Sequence, residues 1–218
     1  DDVRGTHATL REAVMADGWP KLGQARGKVI FAIDLSPEAN KPYAEGDADS
    51  TTLAATVVDQ LAKIGVKPPQ VSMIGISHYH LDHVGQAADF PRAKLLIGEG
   101  DYAVLGTPGH EARTKLLSPW LGKDAKVEKV KGDLDVFGDG SVVMLDLPGH
   151  TPGHHGLLMQ LPKRGAVLLS GDAVHFRENM ETMGVPSFNT NRADSLASMD
   201  RFKKLAEAEK VLVDNLGN

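Results

Sequence analysis

The sequence predicts a mixed α/β fold of the α+β type, on three observations. Strand-like and helix-like runs alternate through the first half of the chain. In the second half, alternating apolar and polar runs follow one another with only turn residues between them. The ends of three predicted strands carry histidine and aspartate. The first pattern implies strands covered by helices, the second an antiparallel sheet, and the third chemistry gathered where strands stop.

Residues 1 to 47 differ in flavour from the rest. T-L-R-E-A-V-M-A-D from Thr9 predicts a short helix, with Thr9 and Glu12 as a capping box and Gly18 and Pro20 as its stop. K-V-I-F-A-I-D, from Lys28 to Asp34, predicts a core strand, and the polar, proline-containing stretch after it a connection. From Ser50, apolar residues at 53, 57, 58, 61 and 64 have helical spacing, with Ser50 as N-cap and Gly65 as stop. V-S-M-I-G-I-S from Val71 is apolar, bounded by Pro68-Pro69 and a polar cluster, and predicts a buried strand. K-L-L-I-G from Lys94 is a short strand, and E-G-D-Y-A-V-L a helical turn.

Residues 106 to 123 mix turn residues with Leu116, Leu117, Trp120 and Leu121. A packed connector is the preferred reading over a substrate-contacting flap, because exposed apolar clusters are costly unless they bind something. K-V-E-K-V, L-D-V-F and S-V-V-M-L-D-L, separated by K-G-D and G-D-G, predict consecutive antiparallel strands. H-G-L-L-M-Q and R-G-A-V-L-L-S-G-D-A-V-H predict two more. The division expected is an atypical N-terminal segment, 1–47, and a main domain, 48–218.

A chain of 218 residues suffices for one domain with a sizeable core. A net charge of −5 with dispersed lysines and arginines gives no footprint for nucleic acid. No apolar run approaches the roughly 20 residues of a membrane helix, and D-D-V-R-G-T-H lacks the layout of a signal peptide. The expectation is a soluble chain without a membrane partner, in a compartment the sequence leaves open. There is no cysteine, so any metal must be held by nitrogen and oxygen.

Chemistry concentrates in S-H-Y-H-L-D-H, positions 77 to 83, at the end of the strand from Val71. His78 and His80, two apart in an extended segment, point the same way; Asp82 and His83 begin a turn and face a second point nearby. Imidazole and carboxylate together suit Zn²⁺, and also Mn²⁺, Fe²⁺ or Co²⁺. A lone surface histidine is usually just solvated, but burying four titratable groups without a metal would leave unpaired charge or unsatisfied nitrogen. P-G-H-T-P-G-H-H, 148 to 155, places His150 at another strand end, as the third ligand; His154 and His155 read as supporting or strand residues. Asp172 follows Gly171 at the end of an apolar strand and reads as a ligand, with His175 beside it. Tyr79 points away from the two histidines and reads as core.

Three ordered motifs, His-x-His-x-Asp-His at 78 to 83, P-G-H-T-P-G-H around His150 and S-G-D with Asp172, resemble the metallo-β-lactamase superfamily of hydrolases over about residues 50 to 210. The resemblance implies an αββα sandwich, with a shortened or replaced N-terminal β-layer, and a binuclear zinc site. In it, His78, His80 and His150 hold one ion, Asp82 and His83 the other, and Asp172 bridges them, with a hydroxide between. The family's late histidine is missing, since no histidine follows His175. Asn215 or Asp214 is the expected oxygen substitute, with a weaker second site. Residues 1 to 47 resemble a fragment of a calcium-dependent phosphoinositide phospholipase C, through H-A-T-L-R-E-A, D-G-W-P and R-G-K-V-I-F-A-I-D, as if two gene pieces were fused.

G-D-A-V-H-F-R-E-N is similar to quorum-sensing lactonases and to their methyl-parathion-hydrolase-like relatives. The best-known lactonases carry a tyrosine where this chain has His175; the organophosphate-hydrolysing relatives carry a histidine. The expected activity is cleavage of a small-molecule ester, lactone or phosphoester, as a phosphotriesterase or phosphodiesterase in the last case. Asp82, Asp172 and His175 are the expected catalytic residues. A β-lactamase, or a non-hydrolytic metal-binding or diiron redox protein, are the alternatives. A shortened N-terminal layer leaves an edge and an apolar face to cover, which predicts a homodimer.

Overall fold

The structure, a computed structural model, describes residues 28–32, 56–162, 165–209 and 212–214. The helix expected from Thr9, the end of the first strand at Asp34, and Ser50 and Asn215 lie outside the described residues.

Two sheets carry the fold. The first has the order β1 (Lys28–Ala32), β2 (Val71–Ile76), β3 (Lys94–Gly98), β4 (Val127–Val130), all parallel. The second has the order β5 (Leu134–Asp135), β6 (Val142–Asp146), β7 (His155–Leu161), β8 (Gly165–Leu169), β9 (Leu212–Asp214). It is antiparallel until β9 joins β8 in parallel.

Strand alternation builds the layers. In β3, Leu96 joins a core with Val130, Val142, Met144, Leu157, Met159, Val167 and Leu169, drawn from both sheets, so the sheets pack face to face. Leu95 and Ile97 point the other way, into a core with Val84, Phe90, Leu117 and Trp120. On the far side, Leu145 and Leu168 meet Met199 and Phe202 of α6 (Arg192–Glu209). Helix, sheet, sheet and helix thus form the αββα order that the motifs imply.

The shorter helices are α1 (Val57–Lys63), α2 (Leu81–Val84), α3 (Glu99–Val104), α4 (Glu111–Leu116) and α5 (Arg177–Thr182). α1 stops at Gly65, as its spacing predicts, but its N-cap is Thr56 and not Ser50. Thr56 and Asp59 close a reciprocal capping box there, which satisfies donors of the first turn. Residues 106 to 123 are a packed connector: Leu117 and Trp120 are fully buried, and the Trp120 indole N–H donates to the Ala93 carbonyl. Tyr79 is buried too.

K-V-E-K-V departs from expectation. It does not pair with the strand after it but lies parallel beside β3, and the chain then crosses to the other sheet through a turn at Gly132, φ +69°. Alternation states that a segment is half-buried; it does not say which sheet accepts its hydrogen bonds. α6 is an element the spacing analysis leaves unassigned. Asn191 caps it, accepting from the N–H groups of Ala193 and Asp194, and Leu196, Met199, Phe202 and Leu205 face the sheet.

Candidate metal centre

The loops that leave β2, β6 and β8 meet at one edge of the sandwich. Each carries part of the polar cluster: Ser77 to His83, Pro148 to His154, and the turn Gly171–Ala173 with His175 behind it. Gly171, at φ +51°, has no room for a side chain, since a Cβ would stand 2.8 Å from His154 Nε2.

Three imidazole nitrogens converge. His78 Nε2 is 3.0 Å from His80 Nδ1 and 3.2 Å from His150 Nε2, and the last two are 2.9 Å apart. Asp172 Oδ2 lies 3.2 Å from His150 Nε2 and 3.8 Å from His78 Nε2. Four ligand atoms, one from each residue, fall within 4.8 Å of one another. With metal–nitrogen bonds of about 2.0 to 2.1 Å, a tetrahedral ion sets its ligands about 3.3 Å apart, so this corner is close to the size zinc requires.

The neighbours aim these nitrogens. His150 Nδ1 sits 3.0 Å from Asn189 Oδ1, an acceptor, so Nδ1 carries the proton and Nε2 presents its lone pair to the centre. Asn189 is held in turn by donating its amide to Ser195 Oγ. Ser77 Oγ is 3.1 Å from His78 Nδ1 and 3.4 Å from His83 Nδ1, and its two lone pairs suffice to accept from both. Lone pairs gathered this closely repel unless a cation lies among them, and that is the chemical sense of the arrangement.

The second set lies beside the first. His83 Nε2 is 3.3 Å from Asp82 Oδ2 and 3.4 Å from Asp172 Oδ1. Asp172 therefore offers one oxygen to each set. Its Oδ1 is buried and, among the described residues, is left without a well-formed hydrogen bond, with His83 Nε2 nearby at 3.4 Å. An orphaned carboxylate oxygen between histidines fits a metal ion. Asp82 is half-exposed, and His175 Nε2 lies 3.6 Å from Asp172 Oδ2.

Electrostatics divides the histidines. Burial, with His83 and His154 nearby, pulls His78 well below the ordinary imidazole value, and burial, with His150 and Arg113, pulls His80 down to about 4. Burial also opposes charge on His83, but contacts with Asp172 and Asp82 outweigh it and hold the group up to about 10. Asp172 is held far below the carboxylate range, since contacts with His150, His175 and His83 overcome its burial.

His154 and His155 support the site without joining it. His154 Nδ1–H donates to the Leu147 carbonyl, and its Nε2 accepts the Asp172 N–H, so the ring is a strut between β6 and the Asp172 turn. His155 faces the carbonyls of Gly153 and Gly132. Asn189, Ser77 and Asp101 are site neighbours that spacing alone does not single out. Asp101 is a buried acid inside a helical turn; burial pushes it up to about 6, against hydrogen bonds from Gly153, Thr151 and Tyr79.

The model of the metallo-beta-lactamase superfamily matches residues 44–212, and that of the Ca2+-dependent phosphoinositide phospholipase C matches residues 1–58. The chain is similar to the N-acyl homoserine lactonase AttM of Azorhizobium caulinodans, 32% identical over 155 residues, 69% of this chain and 59% of that protein. AttM of Rhizobium radiobacter is 32% identical over 162 residues, 72% of this chain and 61% of that protein. An N-acyl homoserine lactonase of Bacillus cereus is 31% identical over 172 residues, 78% of this chain and 66% of its own. The chain thus spans about three fifths of the length of the first two relatives.

Among solved structures, an N-acyl homoserine lactone hydrolase with N-hexanoyl-L-homoserine bound at its catalytic metal center superposes with a TM-score of 0.71 at 24% identity, over 88% of this chain and 78% of that one. AidC, a dizinc quorum-quenching lactonase, does so with a TM-score of 0.62 at 17% identity, over 86% and 67%. These two likenesses show the fold.

Proposed function

The chain belongs to the metallo-beta-lactamase superfamily, and on that premise we propose that it is a metal-dependent hydrolase that opens lactone esters, with N-acyl homoserine lactones as the substrate class. The observation that carries the reading is the convergence of His78, His80 and His150 nitrogens at 2.9 to 3.2 Å, with Asp172 against them. Relatives above 30% identity that are named N-acyl homoserine lactonases support the substrate class.

His78, His80, His150 and Asp172 would hold one zinc ion, and Asp82, His83 and Asp172 a second. A bound zinc supplies Lewis acidity and a water acidified to near neutrality. Asp82 and Asp172 would orient that water, with the proton passed on to the leaving alcohol, and His175 would donate an N–H to charge developing on the carbonyl oxygen. From the sequence, in which no histidine follows His175, an oxygen ligand from Asp214 or Asn215 would complete the second set.

The mouth of the site is apolar. Phe188 and Phe176 are 64% and 56% exposed, and Leu81, between His80 and Asp82, is 38% exposed. Phe188 stands edge-on to His150 and His175, with ring centroids 5.8 and 5.5 Å away. Large apolar side chains gathered at a polar centre suit a substrate with a polar ring and an aliphatic tail.

The test is turnover of the zinc-loaded protein on an N-acyl homoserine lactone, an aryl ester, a β-lactam, a phosphodiester and a phosphotriester. The expected order puts the acyl lactone first in kcat/KM. A phosphotriester in first place would overturn the substrate reading, and protein purified without added metal that is iron-coloured and hydrolyses none of these would replace it with redox chemistry. Among the described residues β1 is an edge of its sheet, which supports a homodimer closed through residues 1–47; a monomer mass by light scattering would refute it.

A further inference from the structure

Asp101 lies in the first turn of α3, fully buried, and among the described residues its carboxylate bonds to the two loops that carry the histidines. Oδ2 accepts the Tyr79 N–H at 3.0 Å and the Thr151 hydroxyl at 2.9 Å; Oδ1 accepts the Gly153 N–H at 2.6 Å. Tyr79 separates His78 from His80, and Thr151 follows His150. One carboxylate is thus a single residue away from each of the three converging imidazoles.

Packing makes the contact tight. A Cβ on Gly98 would fall 1.9 Å from the Gly153 carbonyl oxygen, and one on Gly153 would fall 2.4 Å from the Asp101 N–H nitrogen. The glycines let the turn after His150 lie directly on the β3–α3 junction, which brings Asp101 within reach of both loops.

We propose that Asp101 is a positioning residue for the metal centre, setting the spacing between the His78–His80 loop and the His150 loop. The proposal rests on the reading of these histidines as metal ligands. A carboxylate suits the role because it is acceptor only: two oxygens can take three donors from different segments at once. An amide of the same shape would turn an NH2 toward one of those donors, Gly153 N–H or the Tyr79 and Thr151 pair. The loops would then shift, and three nitrogens now 2.9 to 3.2 Å apart would no longer match one ion.

The experiment compares native protein with Asp101→Asn and Thr151→Val. The readouts are the zinc dissociation constant by chelator competition, the visible spectrum of the Co²⁺-loaded protein, and the melting temperature of the metal-free protein. Asp101→Asn is expected to weaken zinc binding about 10- to 100-fold, the range typical of groups that orient metal ligands, and to shift the Co²⁺ bands. Thr151→Val, which removes one arm, is expected to weaken binding less, with a native melting temperature. If Asp101→Asn lowers the melting temperature but leaves zinc affinity within twofold of native, Asp101 is merely structural and the proposal falls. If Asp101→Asn does not fold, Thr151→Val decides, and native zinc affinity there overturns the proposal. His78→Ala in parallel separates the two readings, because zinc binding that survives it would remove the ligand assignment whatever Asp101 does.

Discussion

His154→Ala tests the strut beneath the metal centre. The ring is fully buried and satisfied at both nitrogens, by the Leu147 carbonyl at 3.1 Å and the Asp172 N–H at 3.0 Å. Truncation leaves both backbone groups buried without partners. Each orphan costs about 1–3 kcal/mol, so the loss expected is roughly 2–6 kcal/mol, before any cavity is counted. Against a typical domain stability of about 5–15 kcal/mol this is a large fraction. For a chain of this size it corresponds to a fall in Tm of roughly 4–24 °C. The assay is urea unfolding of metal-free native and variant protein, with calorimetry as a check. Because the Asp172 N–H loses its anchor, zinc affinity should fall in the same variant. A loss below about 1 kcal/mol, with native zinc affinity, would show that the ring does not hold the Asp172 turn.

His78→Ala and His150→Ala should each remove bound metal and hydrolysis together, measured by elemental analysis and turnover; a variant that kept both would cancel the site assignment. His175→Ala should lower kcat about 10²-fold while metal stoichiometry stays constant, as for loss of a donor to developing charge. Loss of a metal equivalent would instead make His175 a ligand. Proton release on zinc uptake should distinguish the two sets at pH 7 to 9. His78 and His80 are already neutral there, with His80 held near 4, so they have no proton to lose. His83, held up to about 10, is protonated and must give up one proton to bind. In the metal-free protein the raised His83 contributes stability that is full below 6.5 and lost as pH rises through about 10. Calorimetric titration in buffers of different ionisation enthalpy reads the release, and none at the second equivalent would refute the division.

The candidate ligands were legible in the sequence because most of them are written locally. His78, His80, Asp82 and His83 fall in six residues, and His150 and Asp172 each sit at the end of an apolar run that could only be a strand. Alternation in β6 likewise marked a half-buried strand, and the packed connector around Trp120 followed from the cost of exposing it. α6 carried readable signals as well, an Asn191 cap and apolar residues at 196, 199, 202 and 205.

What only the tertiary structure decided is which distant segments meet. β4 could be assigned to the parallel sheet only once its partner was seen, since a half-buried pattern is the same on either side of the sandwich. Asn189 aims His150 from 39 residues away, and Asp101 reaches Gly153 across 52. Such contacts leave no periodicity in the chain, because a hydrogen bond between remote loops constrains one side chain and not its neighbours. Local spacing could therefore name the candidate metal ligands, whereas the distances between them are set by side chains whose partners the fold alone brings within reach.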